Sequence, residues 1–223
     1  MSKMFLAQLL DPKRKEIFQK LSGFKKMAVL GGGTAIALQL GHRKSYDFDL
    51  FTKQLIAPRI KQIVLTTFGK EKIQVLNDTS NELTFFVYPR IKITFLCFPF
   101  SPLHPLVRDL TLSLFDIRDL ASNKAYLLGR RPAYRDYIDI YFLLKHGLSL
   151  KQIIKETQKR FGGGFSEKLF LEQLTYFDDL DNFEIKFMGE KQPAPPEVKN
   201  FLEKEVRNYL SRTRETLQVI KSK

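Results

Sequence analysis

The hydrophobic pattern changes character about halfway along the chain. Up to about residue 100, short apolar runs and alternating apolar and polar positions predict β-strands with a few amphipathic helices between them. From about residue 116 the apolar positions recur every three to four residues, which predicts helices. The expected strands cover residues 27–31, 47–52, 72–76, 82–88 and 91–98; the expected helices cover residues 12–22, 34–40, 57–68, 119–128, 133–146, 149–161, 166–176 and 197–220.

This order of elements predicts the fold class and the division of the chain. Strands that come first and helices that come afterwards indicate an α+β fold with a helical domain attached. We therefore expect an α/β module in residues 1–113 and a helical-bundle domain in residues 114–223 that contributes to a shared cleft.

The polar residues of the segment 31–51 interrupt the apolar pattern in an unusual way. Gly32, Gly33 and Thr34 follow an apolar strand and open a helix, and Asp47 and Asp49 alternate with apolar residues in the next strand. Strand alternation sends both aspartates to one face, where two like charges repel each other unless a cation lies between them. Mg²⁺, or Mn²⁺, suits such oxygen ligands and takes its other ligands from phosphate and water. Because the N–H groups at a helix start favour phosphate, the segment predicts a metal–nucleotide site.

Each part of this segment also has a simpler explanation. Two alternating aspartates are compatible with a solvated strand edge, and a glycine run is compatible with an ordinary turn. The combination of strand, Gly-Gly-Thr, helix, turn and acidic strand favours a functional site.

The same segment resembles a known family. Gly32-Gly33-Thr34, followed after twelve residues by Asp47-x-Asp49-Leu-Phe, resembles the signature of DNA polymerase β-like nucleotidyltransferases. More narrowly, the sequence of residues 32–38 and 42–51 is similar to motifs of the AbiEii toxin family of type IV toxin–antitoxin systems. The likeness continues at residues 119–124, at Arg130 and at residues 135–145, and it covers about residues 25 to 147.

The resemblance implies a fold and roles for individual residues. The implied fold is the polymerase β-like mixed sheet with helices, followed by a helical bundle. Asp47 and Asp49 would be the metal-binding catalytic pair, and the Gly32-Gly33-Thr34 turn would hold the nucleotide together with Lys124. Asp139 would orient Lys124. The residues that would support the site are Arg43, Ser45, Arg130, Asp136 and Lys145.

Some of these residues have alternative roles that the sequence leaves open. Asp136 and Asp139 lie on one face near a helix start, where they would also complement the helix dipole and the neighbouring Arg135. Lys124 would otherwise be a solvated basic residue, and Lys145 is as well suited to a structural contact as to a phosphate contact.

One position departs from the family pattern. Polymerase β-like enzymes that use two metals place a third carboxylate on a later strand, and the matching position here is Thr94. A threonine hydroxyl is a weak metal ligand and cannot act as a general base near neutral pH. Either one metal suffices, or Asp136 or Asp139 assists, or catalysis is degraded.

Composition adds information about compartment and partners. The chain carries a net charge of +13, and most of this excess lies in residues 1–113, which is typical of a protein with a phosphate-bearing partner. The single cysteine excludes an internal disulfide framework. We expect no signal peptide, no membrane span and a cytoplasmic location.

Together these features predict a metal-dependent nucleotidyltransferase that transfers NMP from an NTP to an acceptor hydroxyl. The resemblance implies a type IV toxin with a cognate antitoxin and RNA, specifically tRNA, as acceptor. Two alternatives stay open: a nucleotide- or RNA-binding protein that has the fold without the chemistry, and a small-molecule nucleotidyltransferase. The high positive charge argues against the second.

Overall fold

A computed structural model of the chain describes residues 6–87, 90–128, 133–180, 182–189 and 192–221. These residues form two compact units. The first runs to Leu120 and also includes residues 186–189, and the second begins at Ala121.

The first unit is built around a mixed five-stranded sheet. Its strands are β1 (Val29–Gly31), β2 (Phe48–Thr52), β3 (Ile73–Asp78), β4 (Glu82–Val87) and β5 (Ile91–Cys97), in the order β1-β2-β5-β4-β3. Only β2 and β5 are parallel; the other neighbouring pairs are antiparallel. The predicted strands and the α+β class are therefore confirmed.

Helices cover one face of this sheet and form the core of the first unit with it. Its helices are α1 (Leu6–Leu9), α2 (Pro12–Lys20), α3 (Gly32–Leu40) and α4 (Pro58–Phe68). Aromatic rings from α2, from the 3₁₀ turn Leu21–Phe24 and from α4 pack on rings of the sheet in the pairs Phe18–Phe48, Phe24–Phe95 and Phe68–Phe85. Because this face is apolar and covered, the alternate residues of β2, β4 and β5 lie on the opposite face, where the candidate site is found.

The second unit is helical. It contains most of α5 (Ile117–Leu128), then α6 (Tyr134–Lys145), α7 (Leu150–Phe161), α8 (Glu167–Thr175) and α9 (Pro195–Lys221). Helix α9 packs against α6, α7 and α8. Within the described part of the chain, no helix is long and apolar enough to cross a membrane.

The boundary between the units differs from the position expected from the sequence. Backbone hydrogen bonds join Leu30 to Ser113 and Phe115, and Leu114 bridges both Leu30 and Val107. Residues 113–115 thereby extend the first unit beside β1, and the division falls after Leu120, inside α5, and not between residues 113 and 114.

Candidate functional site

The start of α3 lies against the acidic strand β2. Gly31 is the register partner of Asp49, and Gly32 has a φ of +64°, a conformation that glycine adopts without steric cost. A Cβ built on Gly32 would overlap Asp49 Oδ2. The missing side chain therefore lets the first turn of α3 approach the Asp49 carboxylate, and its N–H groups provide the setting that phosphate prefers.

We expect Gly32→Ala to damage this arrangement severely. The left-handed conformation alone costs about 1–2 kcal/mol for a residue with a Cβ, and the overlap with Asp49 forces the carboxylate to move. Nucleotidyl transfer and the melting temperature should both fall. Gly23→Ala is a matched control, because the new Cβ would lie 3.7 Å from Ile63 Cγ2, an ordinary contact. Equal behaviour of the two variants would contradict the close approach at Gly32.

Thr34 fixes the chain that leads into β2. Its side chain is buried, and Oγ1 bonds to Ser45 Oγ at 2.8 Å and to the backbone oxygen of Asp47. The carbonyl can only accept, so Thr34 donates to Asp47 and Ser45 donates to Thr34. Thr34 and Ser45, predicted respectively as a nucleotide contact and a supporting residue, thus position the Asp47 backbone.

Arg43 belongs to a loop that is held by a distant segment of the chain. Its buried side chain donates to the Lys44 carbonyl at 3.0 Å, and its backbone bridges Phe187. On either side, Lys44 N bonds to Lys186 O at 2.7 Å and Met188 N bonds to His42 O at 3.1 Å. Residues 186–188 therefore hold the loop that precedes Asp47.

Asp47, directly before β2, and Asp49, within it, lie on one face of the sheet. Both are half-buried, while the intervening Phe48 and the following Leu50 are buried in the core. Lys92 on β5 also lies on this face, with Nζ 3.2 Å from Asp47 Oδ2. Lys92 thus relieves part of the repulsion between the two aspartates, which the sequence alone suggested only a metal ion would relieve. Lys92 was missed because the register of β2 against β5 cannot be read from the sequence.

Thr94 occupies the position beside Asp49 on the neighbouring strand. The two residues are register partners in the parallel pair β2–β5. Thr94 Oγ1 lies 3.2 Å from Thr84 Oγ1 on β4, and Thr84 Oγ1 lies 2.6 Å from Glu82 Oε1. Among the residues described, no cluster of three or more His, Cys, Asp or Glu side chains could hold a metal ion. Two carboxylates beside the Gly32 turn fit a Mg²⁺ ion that takes its remaining ligands from phosphate and water.

A buried charge cluster lies in the second unit, between α5 and α6. Lys124 Nζ is 2.5 Å from Asp136 Oδ1 and 2.8 Å from Asp139 Oδ2, and all three side chains are buried, Asp139 completely. The family resemblance implies the contact between Lys124 and Asp139. Asp136, expected only as a supporting residue or as a partner of the helix dipole, also contacts the ammonium.

The remaining predicted residues lie elsewhere. Lys145 is exposed at the other end of α6, with its ammonium 5.5 Å and 4.5 Å from the ring centroids of Tyr141 and Phe201, which is a cation–π arrangement. Arg130 lies outside the described residues. Asp119, part of the family-like segment, is buried and accepts hydrogen bonds from the backbone N–H groups of Leu103 and His104 in the first unit.

Comparison with known proteins agrees with this geometry. The family described as nucleotidyl transferase AbiEii toxin, type IV TA system, matches residues 17–212. An uncharacterized protein of Aquifex aeolicus is 28% identical over 188 residues, which are 81% of this chain and 87% of that protein.

Solved structures show the fold. A protein from Helicobacter pylori, described as a candidate nucleotidyltransferase, aligns with a TM-score of 0.59 at 16% identity over 93% of this chain and 99% of its own. MenT4, a nucleotidyltransferase toxin from Mycobacterium tuberculosis, aligns with a TM-score of 0.55 at 12% identity over 86% of this chain and 80% of its own. The polymerase β-like nucleotidyltransferase fold expected from the resemblance is thus confirmed. The chain belongs to the AbiEii family of nucleotidyltransferase toxins of type IV toxin–antitoxin systems.

Proposed function

We propose that this chain is a cytoplasmic, metal-dependent toxin that transfers NMP from an NTP to an acceptor hydroxyl on RNA, specifically the 3′ end of tRNA. The observation that carries the proposal is the close approach of the Gly32 turn to Asp49, with Asp47 on the same sheet face. A phosphate-binding helix start and a pair of metal-binding carboxylates are the two parts that phosphoryl transfer needs.

Each part of the site has a defined task in this proposal. Asp47 and Asp49 would hold Mg²⁺ or Mn²⁺, which supplies charge stabilisation and alignment when bound. The N–H groups of Gly32 and Gly33 would hold phosphate oxygens. The acceptor oxygen forms a bond to the α-phosphorus while the bond from that phosphorus to the bridging oxygen breaks, and pyrophosphate leaves.

Lys92 would contribute positive charge beside the two aspartates. Its ammonium pairs with Asp47 across two half-exposed side chains, so the pair is weak. With Asp47 holding a cation, the Lys92 ammonium would be free to contact a substrate phosphate.

A basic depression on the first unit favours an anionic acceptor. It is lined by Lys13, Arg14 and Arg90 together with Asp11, Pro12 and Ile91. Asp11 binds Arg14, so the other two basic side chains supply most of the positive charge. Arg14 Nε donates to the carbonyl of Tyr46 at 3.2 Å, and Tyr46 directly precedes Asp47, so the depression lies beside the chain that leads into the acidic pair. The net charge of +13 agrees with a nucleic-acid acceptor.

The chemistry is tested by following two labels. The purified protein is incubated with Mg²⁺, total bacterial RNA and each NTP in turn, labelled either at the α- or at the γ-phosphate. We expect the α-label, but not the γ-label, to enter RNA, because NMP is transferred and pyrophosphate is released. Label from both positions in RNA would indicate a different reaction, and binding of RNA without labelling would favour the alternative that Thr94 supports, an RNA-binding protein without the chemistry.

Toxicity is tested by expression in a bacterial host. If the transfer modifies an essential RNA, induction should arrest growth, and Asp49→Asn should restore it. Arrest that survives Asp49→Asn would point to sequestration of RNA. In the toxin proposal, a cognate antitoxin counteracts this arrest in the natural host.

A further inference from the structure

We propose that Thr94, Thr84 and Glu82 form a proton relay that removes the proton of the acceptor hydroxyl. This inference rests on the proposed function, because it concerns the same transfer. It explains how a site with threonine in place of the third carboxylate can still contain a base.

The three side chains lie on the sheet face that carries Asp49. Thr94 is the register partner of Asp49 on β5, and Thr84 is the register partner of Thr94 on β4. Glu82 is two residues from Thr84 on the same strand and therefore faces the same side. Neighbouring strands lie about 4.8 Å apart, so the row runs from the acidic pair through Thr94 to Thr84.

The number of protons fixes the direction of the relay. Thr84 Oγ1 lies 2.6 Å from Glu82 Oε1 and 3.2 Å from Thr94 Oγ1. An ionised carboxylate only accepts, and a threonine has one hydroxyl proton. Thr84 therefore donates to Glu82 and accepts from Thr94. The lone pairs of Thr94 Oγ1 that remain are available to accept from an acceptor hydroxyl.

The transfer then balances without another reactant. The acceptor O–H proton moves to Thr94, the Thr94 proton moves to Thr84, and the Thr84 proton moves to Glu82. The acceptor oxygen bonds to the α-phosphorus, and the electron pair of the broken bond leaves with pyrophosphate. Glu82 is half-buried, whereas Thr84 is only 7% exposed, so the proton passes through a hydroxyl that is largely shielded from water.

The central test compares Glu82→Gln with Thr84→Val in the labelled transfer assay. The glutamine oxygen still accepts the Thr84 proton in a hydrogen bond but is far too weakly basic to take it up, and valine removes the link. Since general base catalysis contributes about 10²–10⁴-fold, we expect kcat to fall by about a hundredfold or more in both variants, while KM for NTP changes less than about twofold. Glu71→Gln, an exposed glutamate in the same unit, should transfer at the wild-type rate.

A rescue distinguishes the relay from a structural role. Thr94→Asp places a carboxylate directly beside Asp49, so the double variant Thr94→Asp, Glu82→Gln should recover most of the lost kcat. A merely structural defect at Glu82 would persist in the double variant. Wild-type kcat in Glu82→Gln, or no recovery with Thr94→Asp, overturns the relay while the proposed function stands. No transfer by the wild-type protein overturns both.

Discussion

Replacing Asp49 with asparagine is expected to reduce NMP transfer by about a hundredfold or more, because a bound metal supplies several kcal/mol of charge stabilisation. Asparagine keeps the size of the side chain but removes the charge that holds a cation. Asp47→Asn should have the same effect. It also breaks the ion pair with Lys92, which is worth at most about 1 kcal/mol between half-exposed side chains.

Asp78→Asn is the matched control for both variants. Asp78 also lies in the sheet of the first unit and pairs with a lysine, Lys61, but it is outside the Asp47–Asp49 pair. We expect its transfer rate to equal that of the wild type. All three variants should unfold within a few degrees of the parent. Normal transfer by Asp47→Asn and Asp49→Asn would exclude this pair from the reaction.

The second large effect is expected at Lys124, and it is an effect on stability. Lys124→Met removes the cation between Asp136 and Asp139 and leaves two carboxylates buried without it. Loss of one partner from a buried ion pair costs about 3–5 kcal/mol, so the free energy of unfolding measured in urea should fall by that amount. Lys145 is an exposed lysine at the other end of α6, and Lys145→Met should change the free energy of unfolding by less than about 1 kcal/mol.

Combined substitutions separate this structural role from the proposed contact with the triphosphate. The triple variant Lys124→Met, Asp136→Asn, Asp139→Asn has no buried charge at these positions and should regain most of the lost stability. If Lys124 also binds the triphosphate, this stable variant should still bind NTP more weakly than the wild type. Normal NTP affinity in the triple variant would limit Lys124 to a structural role. Lys124→Met and Asp139→Asn should each weaken NTP binding, and the two together should weaken it little more than either alone. A loss of affinity in the double variant equal to the sum of the two single losses would contradict their action as one unit.

Local features of the fold could be predicted from the sequence. The spacing of apolar residues predicts a helix over residues 12–22, and the structure has α2 at Pro12–Lys20, with Asp11 accepting from Arg14 N at its start. The alternation in β2 placed Asp47 and Asp49 on one face, which the burial pattern shows. These features depend on neighbours a few residues apart, so the spacing of residue types is sufficient to find them.

Features that depend on strand register could not be predicted. Lys92 contacts Asp47, and Thr84 contacts Thr94, only because β2, β5 and β4 pair in one particular register. A shift of one residue would reverse the face of each side chain, and the sequence does not state the register. The role of Glu82 could not be predicted for the same reason, because the alternation of apolar and polar residues around it indicates only an ordinary strand. The Asp136–Lys124 contact depends likewise on how α5 and α6 pack.

The effect of Mg²⁺ on nucleotide binding tests the metal site most directly. A non-hydrolysable NTP analogue is titrated into the protein by calorimetry, once with Mg²⁺ and once with EDTA. For the wild-type protein we expect Mg²⁺ to tighten binding at least about tenfold, which corresponds to about 1.4 kcal/mol. For the double variant Asp47→Asn, Asp49→Asn the two titrations should coincide. An unchanged Mg²⁺ dependence in the double variant would contradict the assignment of these two aspartates as the metal site.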